Sequence, residues 1–153
     1  MRVLFFALIV VLLAAHNLPW HLDEKDQAKQ AFTSFEMVEL GNWWFQHTPT
    51  GKVATKPPLA GWISAGLYYA MGGHGWEFAW RLPGFAAALT MLTMLWRAGN
   101  RLGALGGVIA AGAFGLNHFS QRLATLVRTD MLLACFIFLA GYLVYEQDRK
   151  SVV

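Results

Sequence analysis

Ionisable side chains gather at three points of a chain that is otherwise short of charge. Lys56 stands directly before two prolines, and acidic residues cluster between Asp23 and Asp26. Further on, Arg128 is separated from Asp130 by a single threonine. A lysine or arginine binds phosphate oxygens, and a carboxylate accepts a proton from an attacking nucleophile. Cations and carboxylates brought together would therefore suit group transfer from a phosphorylated donor.

The composition of the chain indicates what kind of secondary structure must position these side chains. Of the 153 residues, 56% are hydrophobic and only 14% are charged, which is too apolar for an ordinary soluble domain of this size. The net charge is +3, but the basic residues are scattered and form no stripe, which argues against a nucleic-acid partner. The single cysteine, Cys135, lies inside an apolar run and can form no internal disulfide.

Four apolar runs predict transmembrane helices. They extend from Val3 to Pro19, from Phe78 to Trp96, from Leu102 to Gln121 and from Met131 to Tyr145. The first run also fits a signal peptide. A membrane helix is the favoured interpretation, because further apolar spans follow and the acidic segment beyond it would function only if held at the membrane.

Two further segments predict helices at the membrane surface. Between Asp23 and Leu40 the apolar residues recur at three-and-four spacing, as on an amphipathic helix, and Gly41 fits its C-terminal stop. The stretch from Pro57 to Gly73 is short for a span and rich in glycine and proline. If it crossed the membrane, Arg97 and Arg101 would lie outside. An interfacial position leaves them on the cytoplasmic side, as the positive-inside rule favours.

The predicted fold class is an all-α integral membrane protein, with about four transmembrane helices and two interfacial juxtamembrane helices in the first outer loop. Residues 1–153 form a single membrane domain, and residues 20–73 form that loop. With a cytoplasmic N-terminus, the candidate site residues all face the same outer side. They are Asp23, Asp26, Lys56, Arg81, Arg128 and Asp130. Ionisable groups beside membrane segments are usually paired or functional, although Arg128 and Asp130 alone would equally mark a helix boundary in water.

The order of these landmarks resembles the N-terminal portion of the GT-C glycosyltransferases of the ArnT-like and dolichyl-phosphate-mannose-protein mannosyltransferase families. The motifs that carry the resemblance are Gly41-Asn42-Trp43, Lys56-Pro57 and Arg81-Leu82-Pro83-Gly84. Members are integral membrane enzymes that transfer a sugar from a polyprenyl-phosphate donor to lipid A, protein or another acceptor. The resemblance covers nearly all of the chain, which corresponds to the first third or less of a typical member and is expected to be truncated relative to the family.

The spacing of the motifs sets the register of the acidic residues. Gly41 follows Asp26 by fifteen residues, and Lys56 follows Gly41 by another fifteen, as in the family. The resemblance therefore implies that Asp26 is the catalytic aspartate, acting as general base or orienting the acceptor. Gln27 then replaces the family's usual glutamate. Asp23 is the fallback for the catalytic position.

The resemblance also assigns roles to the remaining candidates. Lys56 would bind the donor phosphate, and Asp130 would hold Lys56 or the acceptor in place. Arg81 and Arg128 are expected as further phosphate contacts, with an equally open role as arginines that reach lipid headgroups.

No metal ligand is predicted, and a divalent cation is the one cofactor that the resemblance leaves open. The acidic residue that often precedes the family's lysine is Thr55 here, which removes one ligand. His47 is a candidate partner, but a lone histidine in an aromatic loop is more often structural.

The expected partners are a polyprenyl-phosphate-linked sugar donor, a lipid or protein acceptor and membrane lipids, with no nucleic acid. The expected location is the inner cell membrane, with the site on its periplasmic, outer face. The alternative is a non-catalytic membrane module that binds lipid phosphate or a partner membrane chain, because a donor groove needs more walls than this segment offers. A small transporter or channel subunit is disfavoured, since its ionisable groups would lie near mid-membrane.

Overall fold

Seven α-helices make up the regular structure that the computed structural model describes, which covers residues 1–16, 25–74, 76–103 and 105–151. In these ranges the only β-type pairing is an isolated bridge between His47 and Val53. The predicted all-α class is confirmed. The helices are α1 (Arg2–His16), α2 (Lys25–Leu40), α3 (Leu59–Ala70), α4 (Trp76–Arg101), α5 (Gly106–Gly115), α6 (His118–Thr125) and α7 (Asp130–Ser151).

Two of the helices are long and apolar enough to cross a membrane. These stretches are Glu77–Arg101 in α4, with 25 residues, and Asp130–Arg149 in α7, with 20 residues. Helices α1 and α5 are apolar but shorter, at 15 and 10 residues. At a rise of about 1.5 Å per residue, α5 is about 15 Å long, roughly half of the ~30 Å hydrocarbon core.

The predicted single helix from Leu102 to Gln121 is two helices in the structure. Helix α5 ends at Gly115, and Asn117 takes an extended conformation before α6. The Asn117 side chain accepts the backbone N–H groups of Phe119 at 2.8 Å and of Ser120 at 3.4 Å. Asparagine is among the best N-cap residues, so this one starts a new helix before the apolar run ends.

Each of the two predicted surface segments contains a helix, and the predicted start of the first, Asp23, lies outside the described residues. In the described chain α2 ends at Leu40, and Gly41 has a φ of 71°, the left-handed conformation that a glycine adopts after a helix. Helix α3 occupies the central part of the stretch from Pro57 to Gly73. The interfacial location of both helices stays a prediction.

Small residues allow the apolar helices to pack closely. A Cβ atom added to Gly99 of α4 would lie 2.5 Å from the carbonyl oxygen of Gly106 in α5. Helix α1 lies beside α5, where Gly112 faces Phe5 and Gly115 faces Ile9. Because both pairings advance in the same chain direction, α1 and α5 run parallel. The buried core of the bundle includes Ile9, Leu13, Leu92, Ala111, Met131 and Cys135.

The contacts of α4 with α7 define two ends of the bundle. Arg101, at the end of α4, forms an ion pair with Glu146 near the end of α7. Near the start of α4, Gly84 faces the carbonyl oxygen of Leu126, just before α7 begins. The two helices therefore run parallel. The end that contains Arg101 and Glu146 is called the far end below, and the opposite end carries α2 and α3.

Candidate functional site

Three of the predicted site residues line one open cleft at the end of the bundle opposite the far end. Lys56, Arg128 and Asp130 border a cavity of about 240 Å³. This cavity is called the cleft, and its end of the bundle the cleft end. Its walls also include polar side chains from α2, from the loop before α3 and from the connection before α7, namely Lys29, Gln30, Thr33, Gln46 and Thr129.

One wall of the cleft depends on a close approach of α3 to α2. Gly61 in the first turn of α3 packs against Met37 of α2, which is only 1% exposed. A Cβ atom at position 61 would lie 2.5 Å from the Met37 Cε atom. The glycine therefore lets α3 start directly beside α2, and Lys56 stands a few residues earlier, at the rim of this junction.

A buried carboxylate fixes the loop between α2 and α3. Glu36, which is 5% exposed, accepts hydrogen bonds from the Asn42 Nδ2 atom at 2.9 Å and from the backbone N–H of His47. The His47 Nδ1 atom lies 2.9 Å from the Glu36 Oε1 atom. Burial works to raise the pKa of the Glu36 carboxyl, but the bonds from His47 and Asn42 outweigh it, so this pKa lies below its usual value. The structural role predicted for His47 agrees with this contact.

The loop then folds back as a short hairpin that leads to Lys56. The backbone N–H of Thr48 donates to the Lys52 carbonyl at 2.7 Å, and that of Ala54 donates to the Gln46 carbonyl at 2.8 Å. Gln46 is itself buried, and its side chain donates to the Trp43 carbonyl at 2.6 Å. The hairpin is thus anchored to α2 through Glu36, which places its last residues at the cleft.

The other wall comes from the connection between α6 and α7. The Arg128 Nε atom lies 4.0 Å from the Asp130 Oδ2 atom, at the outer limit of an ion pair. Asp130 is exposed and opens α7, where the helix dipole favours a negative charge. This connection is tied to α2 because the backbone N–H of Val127 donates to the Gln27 Oε1 atom at 3.2 Å.

The remaining predicted site residues are placed differently. Arg81 is 6% exposed within α4 and is not among the described residues that line the cleft. Asp26 is the second residue of α2, one turn before Gln30, and its side chain lies outside the described part of the structure. Asp23 lies outside the described residues altogether. The roles of these three residues stay predictions.

A comparison with protein families identifies the chain. The model of the dolichyl-phosphate-mannose-protein mannosyltransferase family matches residues 55–151, well over half of the sequence. The chain belongs to this mannosyltransferase family. Comparison with curated proteins and with solved structures gave no match. The chain is therefore assigned to a family of membrane glycosyltransferases, and the matched region includes Lys56, Arg128 and Asp130.

The described part of this mannosyltransferase-family chain contains no cluster of side chains typical of a metal site. No group of three or more histidine, cysteine, aspartate or glutamate side chains lies close enough there to hold an ion. His47, the candidate partner, contacts Glu36 instead, and Thr55 at the cleft offers only a hydroxyl.

Sequence reasoning missed three residues that shape the cleft of this family member. Lys29 lines it from α2, and its position three residues after Asp26, on the same helix, was the available signal. Gln27 and Glu36 make bonds across 100 and 11 residues. No local sequence pattern predicts bonds of that kind, because Gln27 and Glu36 look like ordinary polar residues of a surface helix.

Proposed function

We propose that this mannosyltransferase-family chain takes part in transferring a sugar from a polyprenyl-phosphate donor to a lipid or protein acceptor, at the cleft. The observation that carries the proposal is the meeting of Lys56, Arg128 and Asp130 in one cleft. These residues come from two distant parts of the sequence, and together they combine two cations with a carboxylate. Such a site suits a reaction in which a phosphate leaves and a nucleophile loses a proton.

The cations act on the leaving group. In the reaction the bond between the sugar C1 atom and the phosphate oxygen breaks, and the electron pair stays on the oxygen. The donor phosphodiester has one negative charge, and the departing lipid phosphate gains a second. Lys56 and Arg128 therefore stabilise the transition state more than the bound donor, which accelerates the reaction instead of only tightening binding. Pro57 and Pro58 restrict the backbone beside Lys56.

The carboxylates act on the acceptor. As the acceptor hydroxyl or amine attacks C1, its proton passes to a carboxylate, for which Asp26 is the proposed base and Asp23 the fallback. Asp26 stands one turn before Gln30 on the helix that forms the cleft wall. Asp130 is proposed to orient the acceptor or Lys56. Arg81, which is buried within α4, remains proposed as a further contact of the donor phosphate.

The proposal includes a location. Lys56 and Asp130 lie at the end of the bundle opposite Arg101, so a membrane-embedded chain exposes the two ends to different sides. We place the cleft on the outer, periplasmic face of the inner membrane, because that orientation puts Arg97 and Arg101 in the cytoplasm. A reporter fused after Arg101 is expected to read as cytoplasmic, and a periplasmic signal would reverse the assignment.

The proposal is tested on Lys56, with Lys52 as the matched control. Lys52 is an exposed lysine in the same loop that does not line the cleft. In the full-length gene product reconstituted in liposomes, Lys56→Ala should lower transfer from a panel of polyprenyl-phosphate sugars by roughly 100-fold or more, the usual size of the loss of one charge-stabilising group. Lys52→Ala should stay within about twofold of the unchanged protein, since an exposed surface charge contributes little.

Three results would count against this function. Equal activity of the Lys56→Ala and unchanged proteins would remove the lysine from the site. Equal losses in both lysine variants would indicate a general effect of loop charge. Binding of polyprenyl phosphate without transfer from any donor in the panel would favour the non-catalytic lipid-phosphate-binding module instead.

A further inference from the structure

A buried hydrogen bond joins the two parts of the fold that carry the proposed carboxylates. They are the start of α2, with Asp26, and the connection that leads to Asp130. Gln27 lies in the first turn of α2, directly after Asp26, and its Oε1 atom accepts the backbone N–H of Val127 at 3.2 Å. Both residues are only 4% exposed. The bond therefore links the start of α2 to the connection between α6 and α7, across 100 residues of sequence.

The connection held by this bond carries the cleft residues of the second wall. Val127 directly precedes Arg128, and Asp130 follows two residues later. On its other side the same connection packs against α4, where a Cβ atom at Gly84 would lie 3.5 Å from the Leu126 carbonyl oxygen. The connection is thus held between α4 and α2, and Gln27 supplies the hydrogen bond from the α2 side.

The chemistry of an amide fits this position. A buried backbone N–H without an acceptor is unfavourable, so an acceptor is needed at position 27. A glutamate, the residue expected there from the family pattern, would also accept this bond. It would place a second negative charge beside Asp26 in a buried position, where ionisation is unfavourable. Glutamine accepts the bond and leaves Asp26 as the charged group of the turn.

We propose that Gln27 is a positioning residue for sugar transfer, an inference that rests on the proposed function of the cleft. By holding Val127, it keeps Arg128 and Asp130 at a fixed position relative to the turn of α2 that contains Asp26. The cation that receives the leaving phosphate and the carboxylate that receives the proton then act on one bound substrate. Losing the bond lets the two walls shift, which slows the reaction more than it weakens donor binding, because reaction rates depend steeply on alignment.

Two substitutions at position 27 and one control separate this role from general stability. Gln27→Met keeps the length of the side chain but removes the acceptor, and Gln27→Glu keeps an acceptor. The control is Gln121→Met, since the Gln121 Nε2 atom donates to the Gly115 carbonyl at 3.0 Å and joins α6 to α5. Gln121 is not among the described residues that line the cleft. All three variants are made in the full-length gene product and reconstituted in liposomes.

Hydrogen exchange and steady-state kinetics give the two readouts. In Gln27→Met the peptide that contains the Val127 amide should exchange at least about tenfold faster, as expected when a bond worth roughly 1.4 kcal/mol is lost. Its kcat should fall by about 10- to 100-fold, and its KM for the donor should change by less than about threefold. Gln27→Glu should keep the protection of the Val127 amide, because a carboxylate oxygen also accepts the bond, and should lose less of kcat than Gln27→Met. Gln121→Met should leave both the exchange of the Val127 amide and kcat unchanged.

Each opposite result overturns the inference. Unchanged exchange in Gln27→Met would mean that the bond does not protect Val127. Faster exchange with normal kcat would reduce the bond to a structural role, and an equal loss of kcat in Gln121→Met would indicate general destabilisation. A failed proposed function looks different, because Lys56→Ala would then transfer as well as the unchanged protein. Normal kcat in Gln27→Met beside an inactive Lys56→Ala refutes the positioning role alone.

Discussion

The two ends of the bundle are built in contrasting ways. At the far end the backbones of α4 and α5 meet at Gly99 and Gly106, and Arg101 is paired directly with Glu146. At the cleft end α2, the loop before α3 and the connection before α7 surround a cavity of about 240 Å³, and charged side chains border that cavity. The far end is therefore closely packed, and its charges are paired. The cleft end leaves an open space that is bordered by charged side chains.

This difference shows how the chain divides its tasks. Close contact of helix backbones contributes van der Waals energy and leaves no room for a substrate. Polar bonds at the cleft end, such as those of Gln27 and Glu36, instead fix loops around an open space. We therefore expect substitutions of the close-packed glycines at the far end to change stability, and substitutions of the charged residues that line the cleft to change transfer. Four predictions test this separation.

The largest effect is expected from Gly99→Ala at the far end. Its new Cβ atom would lie 2.5 Å from the Gly106 carbonyl oxygen and 2.7 Å from the Gly106 carbonyl carbon. Backbone atoms cannot rotate away, so α4 and α5 must separate, at a cost of about 3 kcal/mol, the upper part of the usual range for overpacking. Thermal unfolding in detergent measures this loss.

Gly141→Ala is the matched control for this substitution. Gly141 lies in α7, and an added Cβ atom there meets nothing within 4 Å. Its stability should change by less than about 1 kcal/mol, and in the direction of a gain, because alanine favours helices. Equal melting temperatures for the Gly99→Ala and Gly141→Ala proteins would show that the glycine contact does not determine packing at the far end.

The second prediction concerns Asp130→Asn at the cleft. Asparagine keeps the shape of the side chain but loses its charge, so transfer should fall by about 100-fold, or roughly 2.7 kcal/mol of transition-state stabilisation. Stability should fall by no more than about 1 kcal/mol, the usual contribution of a carboxylate at a helix N-terminus. Transfer assays in liposomes and thermal unfolding measure the two quantities.

Asp148→Asn serves as the control for Asp130→Asn. Asp148 is an exposed aspartate near the other end of the same helix, so its transfer rate should remain within about twofold of the unchanged protein. A large loss of stability without loss of transfer in Asp130→Asn would reverse the contrast, because this end would then depend on its charges for folding.

Much of the fold could be predicted from the sequence because its signals are local. The helical spacing between Asp23 and Leu40 and the glycine stop at Gly41 correspond to α2 and to a φ of 71°. The break at Asn117 was not predicted, since hydropathy alone favoured one continuous run. A capping asparagine overrides that signal through two hydrogen bonds, and an apolar average over many residues conceals it.

For the candidate site as well, some features could be predicted from local sequence signals and others depend on tertiary packing. Motif order brought Lys56 and Asp130 into one hypothesis, and the structure places both at one cleft. The supporting bonds of Glu36 and Gln27 could not be predicted, because they depend on how a loop and a distant connection pack against α2. Arg81 was predicted from a motif match as a phosphate contact, and because its side chain is buried within α4 and does not line the cleft, that role stays a prediction.

The third prediction uses pH to measure how much Glu36 contributes to the stability of the loop between α2 and α3. Glu36 has a pKa below its ordinary value of 4.5, so its ionised form stabilises the fold. This contribution is complete above about pH 4.5, and it is lost as the pH falls through the lowered pKa of the folded state. Glu36→Gln should reduce stability at neutral pH by about 1–2 kcal/mol and flatten the decline in acid. Thermal unfolding between neutral and acidic pH measures both effects.

Glu39→Gln is the control for this measurement. Glu39 is exposed on the same helix, so its loss should leave the acid decline in place. An identical acid profile for Glu36→Gln and the unchanged protein would mean that other carboxylates determine it. The hairpin that leads to Lys56 would then be held by something other than the bonds to Glu36.

The smallest effect is expected for the ion pair at the far end, in spite of its direct contact. The Arg101 side chain is 41% exposed, and exposed pairs contribute about 0–1 kcal/mol because water and salt screen them. Arg101→Gln should therefore lower stability by less than about 1 kcal/mol and leave transfer unchanged, as measured by thermal unfolding and by the transfer assay. A loss as large as that of Gly99→Ala would mean that charge pairing, and not backbone packing, closes the far end. The two ends would then both depend on charge, differing only in whether those charges are paired with each other or directed at a cleft.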